Sequence, residues 1–328
     1  MELENQTPFP AALFRGCIDE ERIAASLVVR RTFDLVAGYL VRSAEEVWPV
    51  SGGPWDSPAG PMAGDDLFYR GGVDLFVFGS ARSVKPVPRL DVTVEAGKEF
   101  KYSVAVFGDR VWTKAVDGSL VPGAPKPFTE MPLTMANAYG GADEWDELPV
   151  PYPANPLGKG YALDAESALG KALPNIENPN ALLKKFGDHP EPVGVSAPPY
   201  PFAPRVPRTV EHYPNGVMKK LDPKFFNAAF PDMVVPKLAV GDRVRVSGMT
   251  VDRPIQFEVP PADVQMRLHL GGRIHEVIPQ LDQVVVEVER VRVFVTYRLA
   301  FRYEVVFYEK RHCELVLYPP AAAPESVR

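Results

Sequence analysis

Residues 283–309 read QVVVEVERVRVFVTYRLAFRYEVVFYE. This stretch decides the fold class. Apolar and polar residues alternate with a period of two, which is the signature of strands and not of helices. The apolar phase flips near Glu289-Arg290, and a slip of one residue moves a strand's apolar set to its other face, so a hairpin turn is expected there. Beyond it Val291, Val293, Val295, Tyr297, Leu299, Phe301, Tyr303, Val305 and Phe307 hold one phase. A run of that length exceeds an average strand, and a bend or bulge partway along is expected.

The same period appears upstream. Val244 and Val246 alternate with arginines, Ile255, Phe257 and Val259 with Gln256 and Glu258, and Met266, Leu268 and Leu270 with Arg267 and His269. Near the N-terminus, residues 26–36 (SLVVRRTFDLV) set Leu27, Val29, Phe33 and Leu35 against Arg30, Thr32 and Asp34, as in a half-buried strand. Arg31 falls on the apolar side and needs either an edge or an acidic partner. Residues 73–78 suit a short buried strand, residues 89–97 alternate, and Asp117-Gly118 marks a hairpin. The reading is a mainly β protein, sandwich- or barrel-like, with a β-rich part at 1–125, another at 237–320, and a tail at 321–328 expected to fray.

Between them, residues 126–236 differ in composition. From Pro122 to Pro236 the chain holds 21 of its 36 prolines and 12 aromatic residues. Large rings stabilise a chain only when they pack, so this is an ordered, irregular segment and not a linker. Residues 127–179 form its spine. Two short helices are expected here, at 181–187 and at 223–230, the latter with Asp222 as N-cap and Pro223 at its first position. The extended segment 196–208 (SAPPYPFAPRVPR) reads as a strap lying on its own protein, with Tyr200 and Phe202 as anchors, in preference to a ligand for aromatic-groove domains. Gly140-Gly141, Gly158 and Gly160 mark positive φ or close backbone approach, and residues 155–160 (NPLGKG) read as a tight turn with Asx-type bonding. With no helix N-terminus after it, that turn is structural and not a phosphate cradle.

The net charge of −6 is mild and interspersed, without the basic face of a nucleic-acid binder. Cys17 and Cys313 stand at opposite ends and read as two reduced thiols, an end-to-end disulfide being the alternative. The N-terminus lacks the basic and apolar regions of a signal peptide, and no apolar run approaches a membrane span; a cytoplasmic protein is expected. Hydrolase elbows, P-loops, dinucleotide fingerprints and H-E-x-x-H are not found. His269 and His275 lie six apart across Gly271-Gly272, where a hairpin would set them face to face, yet no third metal ligand is evident nearby; His312-Cys313 reads as strand-end packing. The acid pairs Asp143-Glu144 and Asp146-Glu147 read as a solvated edge. No cofactor or metal is expected.

Seven segments taken together resemble the DUF2169 family of bacterial proteins: DLFYRGGVDLFVFGSARS (66–83), RLDVTVEAG (89–97), VFGDRVW (106–112), PFTEMPLTMANAYGG (127–141), NPLGKGY (155–161), LPNIENP (173–179) and FNAAFPD (226–232). At 296–298, Thr-Tyr-Arg stands where the resemblance leads one to expect Val or Trp before the arginine. The resemblance implies a non-catalytic adaptor or chaperone of type VI secretion. It would bind an effector with a PAAR-like region and help load it onto the spike protein, itself a second candidate partner. Trp145, Tyr152, Asn155, Gly158, Lys159, Asn175 and Glu177 are the candidate partner-binding residues, chosen for their place in the spine. The competing readings are a hydrolase, which needs acids and a histidine meeting in one pocket, and a structural part of a phage-tail-like assembly.

Overall fold

Strands account for 48% of the described residues and helix for 7%, so the chain is mainly β. The computed structural model describes residues 1–305 and 311–318, so Phe307 of the long apolar run and the tail 321–328 lie outside the described residues.

The largest sheet has seven strands. Its order is Ala11–Cys17, Arg22–Val36, Arg292–Glu304, Gln280–Glu287, Val73–Phe78 and Val234–Val235, with Tyr39–Arg42 also paired to Arg22–Val36. Arg22–Val36 and Arg292–Glu304 run antiparallel in unbroken register from Asp34 opposite Arg292 to Arg22 opposite Glu304. The bulge expected in the long run therefore lies elsewhere: the irregularity is in the neighbouring strand, between Leu281 and Gln283. The turn at the phase flip is as expected, with Val291 at φ 53° closing the hairpin. A second sheet orders Ile176–Glu177, Phe100–Phe107, Arg89–Ala96, Arg243–Ser247 and Ile255–Glu258. A third orders Glu2–Asn5, His312–Leu317, Val264–Leu270 and Arg273–Val277. Each sheet mixes strands from both ends of the chain, and one continuous apolar core joins Leu27, Val29 and Val295 of the first sheet to Val92, Val104 and Val246 of the second and Met266 and Leu315 of the third.

Residues 26–33 are buried on both faces, and the half-buried expectation is corrected. On one face Leu27, Val29 and Phe33 enter the core. On the other, the segment 43–72 lies over a polar layer: Arg30 donates to Asp65 at 2.7 Å and to Thr296 at 3.0 Å, and Arg298 donates to Asp282 at 2.9 and 3.1 Å and to Ser26 at 2.6 Å. Arg70 joins the layer through Asp74 and through Asp282 at 3.1 Å. Three arginines and three aspartates neutralise one another where none could be buried alone. Arg31, on the apolar side, has its acidic partner: Asp263 at 2.7 Å, with the carbonyls of Pro261 and Ala262 as further acceptors and the Phe9 and Phe33 rings against its plane.

The middle segment packs on this frame. Gly71 and Gly72 let residues 223–235 come close: a Cβ on Gly71 would stand 2.3 Å from the Lys224 nitrogen. Asn227 then accepts from Gly71 N–H and donates to the Gly72 carbonyl and to Asp74. Phe202 is buried edge-on against Phe230 and the Ser196 hydroxyl donates to the Leu133 carbonyl at 2.9 Å, so segment 196–208 lies along its own protein, but Tyr200, expected as a second anchor, is exposed. The helix expected at 223–230 is a 3-10 turn, Pro223–Phe226, capped by Asp222 as expected; residues 181–187 form no helix, and short α-helices occur instead at Ala165–Ala168 and Val206–Thr209. The cysteines are unpaired, Cys17 exposed and Cys313 buried. No helix among the described residues is long and apolar enough to cross a membrane.

Candidate functional site

The spine is built outward from the Ile176–Glu177 edge of the second sheet. Asn137 and Ala138 lie beside it: Asn175 N–H donates to the Asn137 carbonyl at 2.8 Å, and Ala138 bridges to Ile176. Tyr139–Gly140 then pairs in parallel with Lys159–Gly160. Between these runs sits Asn155, fully buried, whose amide donates to the carbonyls of Met135 at 2.9 Å and Tyr139 at 3.0 Å. The Asx-type bond expected at this turn is thus not made by the side chain; the turn closes through the main chain, Gly158 N–H to the Asn155 carbonyl at 3.3 Å. Gly158 is needed for space and not for positive φ. A Cβ there would meet Asn155 Nδ2 at 2.4 Å and the Ala138 carbonyl at 2.6 Å, whereas Gly140 and Gly160 do have positive φ, 146° and 102°.

Asn175 and Glu177 are struts on the other side of Ala138. Asn175 donates to the Phe107 carbonyl at 2.9 Å and to Asp109 at 3.2 Å. Glu177 is paired with Arg110 and accepts from Leu183 N–H at 2.9 Å, while Arg110 stacks over the Phe107 ring. Burial pushes the Glu177 carboxyl up, against the pull of Arg110 and of its hydrogen bonds. Asn155, Asn175 and Glu177 therefore turn their side chains inward and shape the surface from beneath. Lys159 is half-buried, its ammonium lowered by desolvation against the pull of Asp109.

Tyr152 is half-buried in a ring cluster: Tyr139 meets it edge-on at 5.1 Å and Tyr161 lies 5.3 Å away. The Tyr139 hydroxyl and His189 Nδ1 share a hydrogen bond of 2.9 Å. Beneath these rings Trp112, Leu120, Leu173 and Leu183 form a second small core, which gives the prolines and aromatics of this segment their order.

From this base projects a hairpin, Ala142–Trp145 with Leu148–Pro151. Trp145 and Leu148 face each other at its tip and are 69% and 67% exposed, so the ring is presented and not buried at home. Asp146 and Glu147 make the turn with φ of 51° and 62°. The sequence reading singled out Trp145 and not Leu148, because a two-residue turn with both φ positive normally announces itself with Asn or Gly. Asp146 and Glu147 are solvated, as expected, but Asp143 is not: it is buried at the hairpin's foot, paired with Lys171, and accepts from Leu163 N–H and the Ser167 hydroxyl at 2.8 and 2.7 Å. Burial opposes the charge, and these donors outweigh it and hold the Asp143 carboxyl well below the usual range.

Elsewhere, a cleft of about 700 Å³ is lined by Tyr69, Arg70, Asp282 and Arg298. Its charged groups are engaged with one another, as described above. The hairpin expected around Gly271-Gly272 forms, but His269 lies opposite Ile274 and His275 opposite Leu268, so the two histidines do not meet.

No curated protein and no solved structure matches this chain. A family model described as an uncharacterized protein conserved in bacteria, DUF2169, matches residues 20–298. That span holds the Arg70–Asp74 turn, the Asn155–Gly160 turn and the Asn175–Glu177 struts whose contacts build the frame. The chain belongs to the DUF2169 family.

Proposed function

We propose that this protein is a non-catalytic adaptor of the bacterial cytoplasm that holds a protein partner at the Ala142–Pro151 hairpin. The observation that carries the reading is the tip itself. An exposed Trp145 beside an exposed Leu148 stands on a foot fixed by the Asp143–Lys171 pair. A large ring on a fixed support loses little freedom on binding, and tryptophan is the residue most often found at the energetic centre of protein interfaces. Pro149 and Pro151 remove backbone donors from one strand of the hairpin, which discourages strand addition and leaves side chains to make the contact.

The partner proposed is a type VI secretion effector with a PAAR-like region, with the spike protein reached through it. The test is co-expression with such an effector encoded beside the gene, followed by affinity capture with wild type, Trp145→Ala and Trp145→Ala/Leu148→Ala. Capture by wild type, weakened about 10-fold or more by the double variant while its melting is unchanged, is expected. A folded wild-type protein that retains no effector overturns the adaptor reading.

A further inference from the structure

The third sheet brings together three groups that the sequence scatters. In the antiparallel pairing of Val264–Leu270 with His312–Leu317, His269 lies opposite His312 and Arg267 opposite Glu314. Paired residues and those two apart share a face, so both imidazoles and the Glu314 carboxylate point the same way. The rings stack with centroids 3.7 Å apart and planes 19° from parallel. Glu314 Oε1 lies 2.9 Å from His269 Nε2 and 3.2 Å from His312 Nε2, and one ligating atom from each of the three falls within 4.8 Å of the others.

We propose that His269, His312 and Glu314 form a binding site for a divalent transition metal of the zinc class. Two imidazole nitrogens and one carboxylate oxygen are the donors such an ion takes in open three-protein-ligand sites, with a fourth position left for water. Ligands about 2.0–2.1 Å from a tetrahedral ion stand roughly 3.3 Å from one another, close to the 2.9 and 3.2 Å that separate Glu314 Oε1 from the two rings. A second observation is independent of the count of ligands. His269 Nε2 is buried and makes no hydrogen bond, although the Glu314 oxygen is 2.9 Å away. The oxygen is off the line along which the ring could donate. It suits a metal, whose ligands sit beside one another and not along one axis. The ion would replace that contact, and the 3.2 Å hydrogen bond between His312 Nε2 and Glu314 Oε1, with three ligand bonds.

The surroundings favour a cation. Glu2 pairs with His312, Glu4 with Glu314 and Glu276 with Arg267, which places three further carboxylates on this face beside Arg267. Arg267 is held by Glu276 at 3.0 Å and stands 3.9 Å from Glu314, leaving Oε1 free to face the histidines. Hard oxygen-only ions such as calcium and magnesium are disfavoured by two nitrogen donors. The site joins two strands of one sheet and lies partly outside the family-matched span, since His312 and Glu314 come after residue 298. Its effect is to clasp the C-terminal strand to its neighbour.

The test uses tag-free, chelator-treated protein titrated calorimetrically with zinc chloride, with His269→Asn, His312→Asn and Glu314→Gln alongside. Asparagine and glutamine keep volume and polarity, and circular dichroism checks the fold of each. One equivalent of zinc bound by wild type, with affinity at least about 100-fold lower in each folded histidine variant, is expected, because losing a ligand costs no less than losing its outer support. Cobalt(II) added in place of zinc should give the visible bands of a tetrahedral site in wild type and lose them in His312→Asn. Zinc should also raise the melting temperature of wild type and leave that of His312→Asn where it was. No stoichiometric binding, or equal binding by all variants, overturns the proposal. Should a histidine variant fail to fold, Glu314→Gln and the cobalt spectrum of wild type decide it: an octahedral, weakly absorbing spectrum counts against the site.

Discussion

Asn155 carries no charge and meets no solvent, yet its amide joins Met135, Tyr139 and the turn that leads to Lys159. Replacing it by Ala leaves two buried carbonyls without those donors, and a loss of about 2–4 kcal/mol is expected in denaturant unfolding. Gly158→Ala is predicted to be destabilising by steric conflict, since its Cβ would meet Asn155 Nδ2 and the Ala138 carbonyl well inside contact distance. If it unfolds at the wild-type denaturant concentration, the close-packed turn described here is wrong. Asp143 gives a prediction with a pH sign. Its folded carboxyl is held below its unfolded value, so its contribution is complete above about pH 4 and is lost as acidity pushes through the folded pKa. The stability gap between wild type and Asp143→Asn should be full at neutral pH and narrow steadily below pH 4; a gap that widens in acid would contradict this assignment.

At the scale of elements, the Ala142–Pro151 hairpin is a projecting finger and the strands behind it are a frame. Trp145→Ala removes a ring that is mostly in water, so unfolding should shift by less than about 0.5 kcal/mol even where partner capture falls. A large loss of stability would mean that the ring is structural. The strands themselves were legible in the sequence: the phase flip near Glu289-Arg290, the Val73–Phe78 run and the Asp117-Gly118 turn all stand where period and turn chemistry put them. What was hidden had physical reasons. Arg30, Thr32, Thr296 and Arg298 look solvated in a period-two reading, because alternation reports polarity and not whether a covering loop brings compensating charge. The stacking of His269 on His312 was invisible because strand pairing across 43 residues is a tertiary fact, while the nearer partner, His275, is offset by one position in its hairpin. Asn155, Asn175 and Glu177 were named as partner-binding candidates and their side chains turn inward, because sequence gives no sign of whether a polar side chain points outward or holds its own backbone.

For the whole molecule, the decisive fact is that the two ends of the chain share their sheets. Arg22–Val36 from one end lies between Ala11–Cys17 and Arg292–Glu304, and Arg89–Ala96 lies against Arg243–Ser247. One cooperative unfolding transition is expected, with tryptophan fluorescence and circular dichroism coincident in denaturant; two resolved transitions would mean separable β-rich parts. The buried Arg30–Asp65 pair ties the covering segment 43–72 to that shared sheet, and Asp65→Ala, which strands the guanidinium, should cost about 3–5 kcal/mol. A frame of this kind holds its surface features in place, and that rigidity is what the adaptor account needs. The most direct test is hydrogen exchange of the protein alone and with a PAAR-region effector bound. The account predicts protection gained at residues 142–151 and the Tyr152–Tyr161 surface beside them, with the three sheets unchanged. Protection that leaves the hairpin as exposed as before, and appears on another face of the molecule, would contradict it.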